Sequence, residues 1–404
     1  NFIMNKLLQT ILLGLLTALF FSAFIYFEEY ELTNKLINSL FGLIAIALFL
    51  YIPKKSVLIA GFFIGLFWFY WVGYSFKYQG VGYMESIVTV IFGLFYMLFF
   101  APLAFSKQVY IRAFLLFLLS FFEPLGNNWM QIELLFVDSY FGVYKYQFIA
   151  ILLALSLPSF LKDKLKYTPL LLLLVAFNYG YPPQNDAPLK IKLVQTHIKQ
   201  EAKWKRESLL PTTSMIFKDI DKAIQEKVDI VLFPESVFPL YMNKNPVLIN
   251  ELLQKSDKIT IVVGSLLRED DKSYNVTYMF TNGEYQIAKK VVLLPFGEYI
   301  PLPKFAQKII NDTFFHGASD FVHADKPTDF IIQGIKFRNA ICYEATSSEI
   351  YSDDVNFVLA SSNNAWFTPS IEPTLQKLLM KYYARKHGVT IYHSTNDKGT
   401  RIVR

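Results

Sequence analysis

The sequence predicts a membrane α-helical bundle followed by a soluble α/β domain. Of its 404 residues, 53% are hydrophobic and 17% are aromatic, whereas only 18% are charged, which is unusual for a soluble protein. The charges are also unevenly divided. Up to Tyr181 there are 11 Lys and Arg and 8 Asp and Glu, against 28 and 25 in the rest of the chain. We therefore expect a transmembrane helical domain over 1–182 and a soluble domain over 183–404.

The segment that separates the two predicted domains is rich in Gly, Pro and Asn. It covers 178–188, and its prolines and glycine cannot continue a helix, so it indicates a linker.

The first half contains seven apolar runs, which form the predicted bundle. They cover 7–27, 36–52, 56–76, 86–105, 109–122, 146–161 and 168–181. About 20 apolar residues are needed to cross a bilayer core of about 30 Å, so the first, third and fourth runs are predicted as clear spans. The first run is too long for the apolar region of a signal peptide and no cleavage site follows it, which favours a retained anchor.

Basic residues in the loops predict the orientation, because cytoplasmic loops retain Lys and Arg near span ends. The N-terminus and every second loop carry eight basic residues, and the intervening loops carry three. Seven crossings from an inside N-terminus place the second half outside, on the periplasmic side of a bacterial inner membrane. If one short run does not span, the second half would lie in the cytoplasm.

The overall charge and the cysteine count exclude several classes of partner. The formal net charge is +6 without a dense basic cluster, so no nucleic-acid partner is expected. Cys342 is the one cysteine of the sequence, which excludes an intramolecular disulfide and a cysteine-based metal cluster. We expect neither a metal nor a cofactor.

The second half alternates short β-rich runs with helical stretches, which is typical of a layered α/β domain. Strands are predicted over 190–196, 229–234, 258–265, 275–280, 285–290, 330–341 and 354–360, the sixth being a hairpin or a bulged strand. A helix is predicted over 215–227. Three of these strands end at side chains capable of chemistry, namely Glu235, Lys290 and Cys342.

A carboxylate, an amine and a thiol together suggest covalent acyl chemistry. The carboxylate can accept the thiol proton, while an ammonium group favours the thiolate and stabilises a tetrahedral oxyanion. None of the five histidines has metal-ligand spacing or an obvious partner, which argues against a Cys–His protease. Taken alone, Cys342 is better interpreted as a small buried hydrophobic residue, as lone cysteines often are, and spacing by itself does not overturn this interpretation.

Four motifs that follow the membrane half in a fixed order favour the nucleophile. They are Phe233-Pro-Glu-Ser236, Lys290-Val-Val-Leu-Leu-Pro-Phe-Gly-Glu-Tyr299, Ile341-Cys-Tyr-Glu344 and Asn363-Asn-Ala-Trp-Phe367. In this order they resemble those of bacterial apolipoprotein N-acyltransferase, whose soluble half belongs to the nitrilase superfamily. The resemblance implies a nitrilase-like α-β-β-α sandwich for 183–404.

The resemblance also implies roles for particular residues. Glu235 matches the general base, Lys290 the oxyanion stabiliser and Cys342 the nucleophile. Four more positions match residues that support the triad or bind substrate, namely Glu298, Tyr343, Glu344 and Trp204. Each of these also has a structural interpretation, such as a helix-capping acid or a core aromatic.

The implied reaction has two steps. Cys342 takes a fatty acyl chain from a phospholipid as a thioester, and the α-amino group of an apolipoprotein's diacylglyceryl-cysteine then accepts it. The implied partners are the phospholipid, the apolipoprotein and the membrane, with the protein acting as a monomer.

Two alternatives remain open. The same triad could pass the acyl group to water or a small amine, as a membrane-tethered amidase or lipid hydrolase. The chain could also be non-catalytic, either a transporter or an inactive truncated acyltransferase, although a transporter should carry ionisable pairs at membrane depth.

The sequence departs from the family pattern in three places. It ends at Arg404, where the family continues through further sandwich strands and a last membrane span, so we expect those elements to be lacking. Phe233 stands where the family commonly has Trp, and Asn364 where it commonly has Asp.

Overall fold

The chain folds into two compact units in the computed structural model, which describes residues 2–295, 297–299, 321–352 and 354–404. The membrane unit comprises Asn1–Pro124, Trp129–Tyr181 and Pro369–Leu378. The sandwich unit comprises Leu125–Asn128, Pro182–Thr368 and Leu379–Arg404.

Apolar helices build the membrane unit. They are α1 (Phe2–Glu29), α2 (Lys35–Tyr51), α3 (Lys54–Phe69), α4 (Met84–Phe100), α5 (Val109–Leu119), α6 (Lys145–Ser156) and α7 (Leu173–Ala176). Within the described residues, three helical stretches are long and apolar enough to cross a membrane, namely Met4–Glu29, Lys54–Tyr78 and Met84–Ala104. They coincide with the first, third and fourth apolar runs of the sequence.

The remaining apolar runs form shorter elements, so the count of seven spans stays a prediction. Three of these runs give helices over Lys35–Tyr51, Val109–Leu119 and Lys145–Ser159. The seventh run forms part of a 3-10 helix over Asp163–Leu172 and then the four-residue α7. Pro169 lies inside this stretch, and its missing amide N–H interrupts regular α-helical hydrogen bonding.

Helices α3 and α4 approach closely because glycines face the neighbouring backbone. A Cβ atom at Gly65 would lie 2.4 Å from the carbonyl oxygen of Phe92, and one at Gly61 would lie 2.7 Å from that of Tyr96. Small residues at such crossings let lipid-embedded helices gain packing contacts.

Two sheets form the sandwich unit, each with five strands among the described residues. The first has the order β1 (Ile191–Leu193), β2 (Ile230–Leu232), β3 (Thr260–Glu269), β4 (Lys272–Thr281) and β5 (Glu284–Lys289). The second consists of β6 (Asp329–Ile332), β7 (Ile335–Ile341), β8 (Phe357–Asn363), β9 (Thr390–Asn396) and β10 (Arg401–Val403), and its spatial order is β10-β9-β8-β7-β6. Strands β1 to β3 are parallel, as are β7 to β9, and the other pairings are antiparallel.

The two sheets share an apolar core because alternate side chains of each strand point to the same face. This core includes Ile230, Leu232, Val262, Phe337 and Leu359. The opposite face of the first sheet packs against the apolar sides of α9 (Arg206–Gln225) and α10 (Pro246–Ser256). The predicted layered sandwich is therefore confirmed.

Two further α-helices belong to the described residues. The short helix α8 (Gln200–Lys203) precedes α9, and α11 (Glu372–His387) lies between β8 and β9 in the chain. The predicted element over 330–341 is a hairpin, with Gln333 and Gly334 at positive φ in its turn.

Candidate active site

Glu235 lies in a loop that rests directly on strand β3. It follows the fully buried strand β2, and the next residue, Ser236, has a φ of +46°. A Cβ atom at Gly264 would lie 2.4 Å from the backbone nitrogen of Ser236, so the absence of a side chain there lets the loop approach. Glu235 is buried as a result.

Lys290 follows strand β5 and is paired with a carboxylate. Its side chain is 1% exposed, and its Nζ lies 2.7 Å from Oε2 of Glu298. Asn275 on β4 connects this pair to Glu235, because its Nδ2 donates to Oε1 of Glu235 at 2.8 Å and to Oε1 of Glu298 at 3.2 Å. Burial lowers the pKa of Lys290, but the charges of Glu298 and Glu235 outweigh it and raise the pKa above its usual value. The amine is therefore held as an ammonium ion.

Cys342 occupies a strained turn at the end of β7. Its φ of +55° lies in the left-handed region, which L-residues rarely adopt and which is common at active sites. Cys342 forms no disulfide and is partly exposed. A charge on Cys342 interacts electrostatically with Lys290, so the structure brings the strand ends of β5 and β7 together.

Glu344 fixes the backbone on both sides of this cluster. Its carboxylate is buried and accepts hydrogen bonds from the amides of Ile341 at 2.5 Å, Val291 at 2.6 Å and Val292 at 3.3 Å. These amides lie next to Cys342 and Lys290 in the chain. Burial raises the pKa of Glu344 to about 7, although Lys290 and the three amides act in the opposite direction.

The raised pKa of Glu344 gives the first testable prediction. Between pH 4.5 and pH 7 the folded protein binds more protons at this site than the unfolded chain, so stability falls as the pH rises through that window. Glu344→Gln cannot titrate. Its stability relative to the parent should therefore rise by up to about 3 kcal/mol across the window.

Unfolding of both proteins in detergent at pH 5 and pH 7 measures this difference. The other titrating groups are common to both proteins and cancel. A difference that stays constant with pH would contradict the raised pKa.

The two remaining predicted site residues are Tyr343 and Trp204. The Tyr343 side chain is buried, donates to the carbonyl of Gly126 at 2.9 Å and accepts from the amide of Asn128 at 3.1 Å. It therefore anchors the turn after Cys342. Trp204 is 46% exposed, and its place in a substrate pocket stays a prediction.

Two buried polar residues of the cluster were not identified from sequence. Asn275 is the first residue of a predicted strand. The sequence does not show that it is buried, and an exposed Asn would look the same there. Lys203 is 2% exposed, and its Nζ donates to the backbone carbonyl of Glu235 at 3.0 Å. The one sequence signal for Lys203 was its position beside Trp204.

No group of three or more His, Cys, Asp and Glu within the described ranges could hold a metal ion. The arrangement offers a thiol, a carboxylate and a buried ammonium ion, which is a set suited to acyl transfer.

Comparisons with known proteins identify relatives of the whole chain. The family model described as "Apolipoprotein N-acyltransferase integral membrane domain" matches residues 8–179. The apolipoprotein N-acyltransferase of Wolinella succinogenes is 42% identical over 394 residues, which cover 97% of this chain and 95% of the relative. That of Helicobacter hepaticus is 38% identical over 387 residues, covering 93% and 96%.

Solved structures of the CN-hydrolase superfamily also align with this chain. A member from Xanthomonas campestris covers 52% of this chain and 76% of its own, with 15% identity and a TM-score of 0.40.

Proposed function

The chain belongs to the apolipoprotein N-acyltransferase family, and we propose a route by which it acylates lipoproteins. Membership makes it a membrane-bound acyltransferase rather than a transporter. In the proposed route, a fatty acyl chain passes from a phospholipid to Cys342 and then to the α-amino group of an apolipoprotein's diacylglyceryl-cysteine. The observation that carries this proposal is the cluster of the buried Glu235 and Lys290 with the largely buried Glu298, beside the partly exposed Cys342.

The first step forms the thioester. Glu235 accepts the thiol proton while Sγ of Cys342 attacks the ester carbonyl of the phospholipid. The ammonium of Lys290, held in place by Glu298, stabilises the tetrahedral oxyanion. When the intermediate collapses, the C–O bond to the lysophospholipid breaks, and the departing oxygen takes the proton from Glu235.

The second step forms the amide. The neutral α-amino group attacks the thioester carbonyl and gives a proton to Glu235, and Lys290 again stabilises the oxyanion. Collapse breaks the C–S bond, and the thiolate of Cys342 recovers the proton from Glu235. The products are an N-acylated lipoprotein and the free enzyme.

We further propose that the domain over 183–404 acts on the periplasmic side of the inner membrane, with 1–182 as its membrane anchor. The loop distribution of basic residues supports this orientation. Both substrates are anchored in the bilayer by their acyl chains, so an enzyme confined to the same bilayer meets them without extracting them. This confinement lowers the entropic cost of bringing them together.

Intact-protein mass spectrometry tests this proposal. The detergent-purified protein is incubated with a phospholipid of defined acyl mass, and we expect a hydroxylamine-labile acyl adduct that Cys342→Ala lacks. Adding a diacylglyceryl-cysteinyl peptide should then move that mass from the protein to the peptide.

Two results would contradict the proposal. A folded parent protein without an adduct would exclude phospholipid as the acyl donor. An adduct that is lost to water but never appears on the peptide would instead indicate a lipid hydrolase.

A further inference from the structure

We propose that Lys203 is a positioning residue of the active site, the counter-ion of the negative charge that Glu235 and Cys342 share. This inference rests on the proposed function in one respect, namely that Cys342 is the nucleophile and Glu235 its base. It assigns a second buried ammonium ion to the site, in addition to Lys290.

The surroundings of Lys203 suit a counter-ion that acts through its neighbours. Lys203 ends helix α8, and its Nζ donates to the backbone carbonyl of Glu235 at 3.0 Å. The side-chain oxygen of Asn363, in the amide orientation that satisfies its neighbours, accepts from the same Nζ at 3.1 Å. Both acceptors are neutral. In the part of the chain that the structure describes, no carboxylate oxygen lies within 4.0 Å of this ammonium.

Lys290 and Glu298 balance each other, so the negative charge shared by Glu235 and Cys342 still needs a cation. The ammonium of Lys290 is matched by Glu298 at 2.7 Å, so this pair is neutral by itself. In the proposed mechanism, one proton moves between Glu235 and Cys342, so one of the two is always anionic before acylation. A buried anion is unfavourable unless a cation compensates it.

Lys203 is placed to compensate this anion in either position. Its charge interacts electrostatically with both Glu235 and Cys342. Burial lowers the pKa of Lys203 to about 8, although negative charge on Glu235 or Cys342 acts in the opposite direction, so the ammonium form prevails at neutral pH. The remaining acid of the site, Glu344, has its carboxylate engaged by backbone amides.

The second contribution of Lys203 is mechanical. Its hydrogen bond holds the carbonyl of Glu235, and the residue that follows, Ser236, has a φ of +46°. Lys203 thereby helps to keep the loop in the conformation that directs the carboxylate of Glu235 to Asn275.

Alkylation by iodoacetamide tests the counter-ion role without any lipid substrate. Cys342 is the one cysteine of the chain, so the rate of alkylation against pH reports on its thiolate alone. In Lys203→Met we expect the pH midpoint of alkylation to rise by about one unit, which makes the reaction about tenfold slower at pH 7. Lys205→Met removes an exposed lysine two residues away and should follow the parent.

A second variant separates the charge from the hydrogen bond. Lys203→Gln keeps a donor for the carbonyl of Glu235 but carries no charge, so it should show the same upward shift, and Lys203→Arg should recover most of the parent rate. If either neutral variant folds and keeps the pH profile of the parent, the counter-ion role is wrong.

The alkylation result is independent of the acyl-transfer assay. If the alkylation midpoint shifts in the variants but the parent forms no acyl adduct, the counter-ion role of Lys203 is supported and the proposed acyl donor is refuted.

Discussion

Lys290→Met should abolish acyl transfer and destabilise the sandwich unit by about 3–5 kcal/mol, because it removes one partner of a buried ion pair. The Lys290 side chain is 1% exposed and lies 2.7 Å from Glu298. Without the ammonium, Glu298 keeps a largely buried negative charge, and Asn275 joins it to a second carboxylate on Glu235. The tetrahedral oxyanion would also lose its stabilising cation.

Lys289→Met is the matched control for this substitution. Lys289 is the preceding residue, but its side chain is 31% exposed and pairs with Glu269 at the surface. Exposed pairs contribute about 0–1 kcal/mol, so this variant should unfold close to the parent and keep its transfer activity.

Denaturant unfolding and the peptide acylation assay, applied to both variants, distinguish the two positions. If Lys290→Met matched the stability of Lys289→Met, the buried pair would contribute nothing, and the role given to Lys290 would need revision.

Glu235→Gln should slow thioester formation about 10²–10⁴-fold, because it removes the base that accepts the thiol proton. The fold should survive, since the side-chain oxygen of Gln can still accept the hydrogen bond from Asn275. The loss should shrink as the pH is raised, because solvent can then generate the thiolate without Glu235.

Time-resolved mass spectrometry of the acyl adduct measures this rate for each protein. Glu226→Gln, which changes an exposed acid paired with Lys192, is the control and should acylate at the parent rate. A Glu235→Gln variant that acylates as fast as this control at neutral pH would exclude Glu235 as the base.

Local patterns were sufficient to predict the two-part organisation and the strand ends near which Glu235, Lys290 and Cys342 lie. An apolar run of about 20 residues is stable across a bilayer whatever its neighbours, so the longest spans were readable from the sequence. Glu235 follows a fully buried apolar strand and Cys342 follows a largely buried strand, and both strands are also predictable from the local sequence. The family motifs then connected these positions into one predicted site.

The conformation of the shorter apolar runs depended on their packing in the folded protein. The run over 168–181 is apolar enough to suggest a span, yet it forms the end of a 3-10 helix around Pro169 and then a four-residue α-helix. Short helices draw most of their stability from packing rather than from their own sequence, so composition alone did not decide its conformation.

The sequence by itself determined which residue types are available to the site and that they stand at strand ends. Only the tertiary structure decided which polar side chains are buried beside them, and this distinguishes Asn275 and Lys203 from the exposed Lys205 and the partly exposed Lys289. The physical reason is that burial and charge pairing are set by strands and loops distant in sequence. The buried Lys290 and the partly exposed Lys289 are adjacent in the chain, and only the packing around them gives one a largely buried carboxylate partner and the other a surface partner.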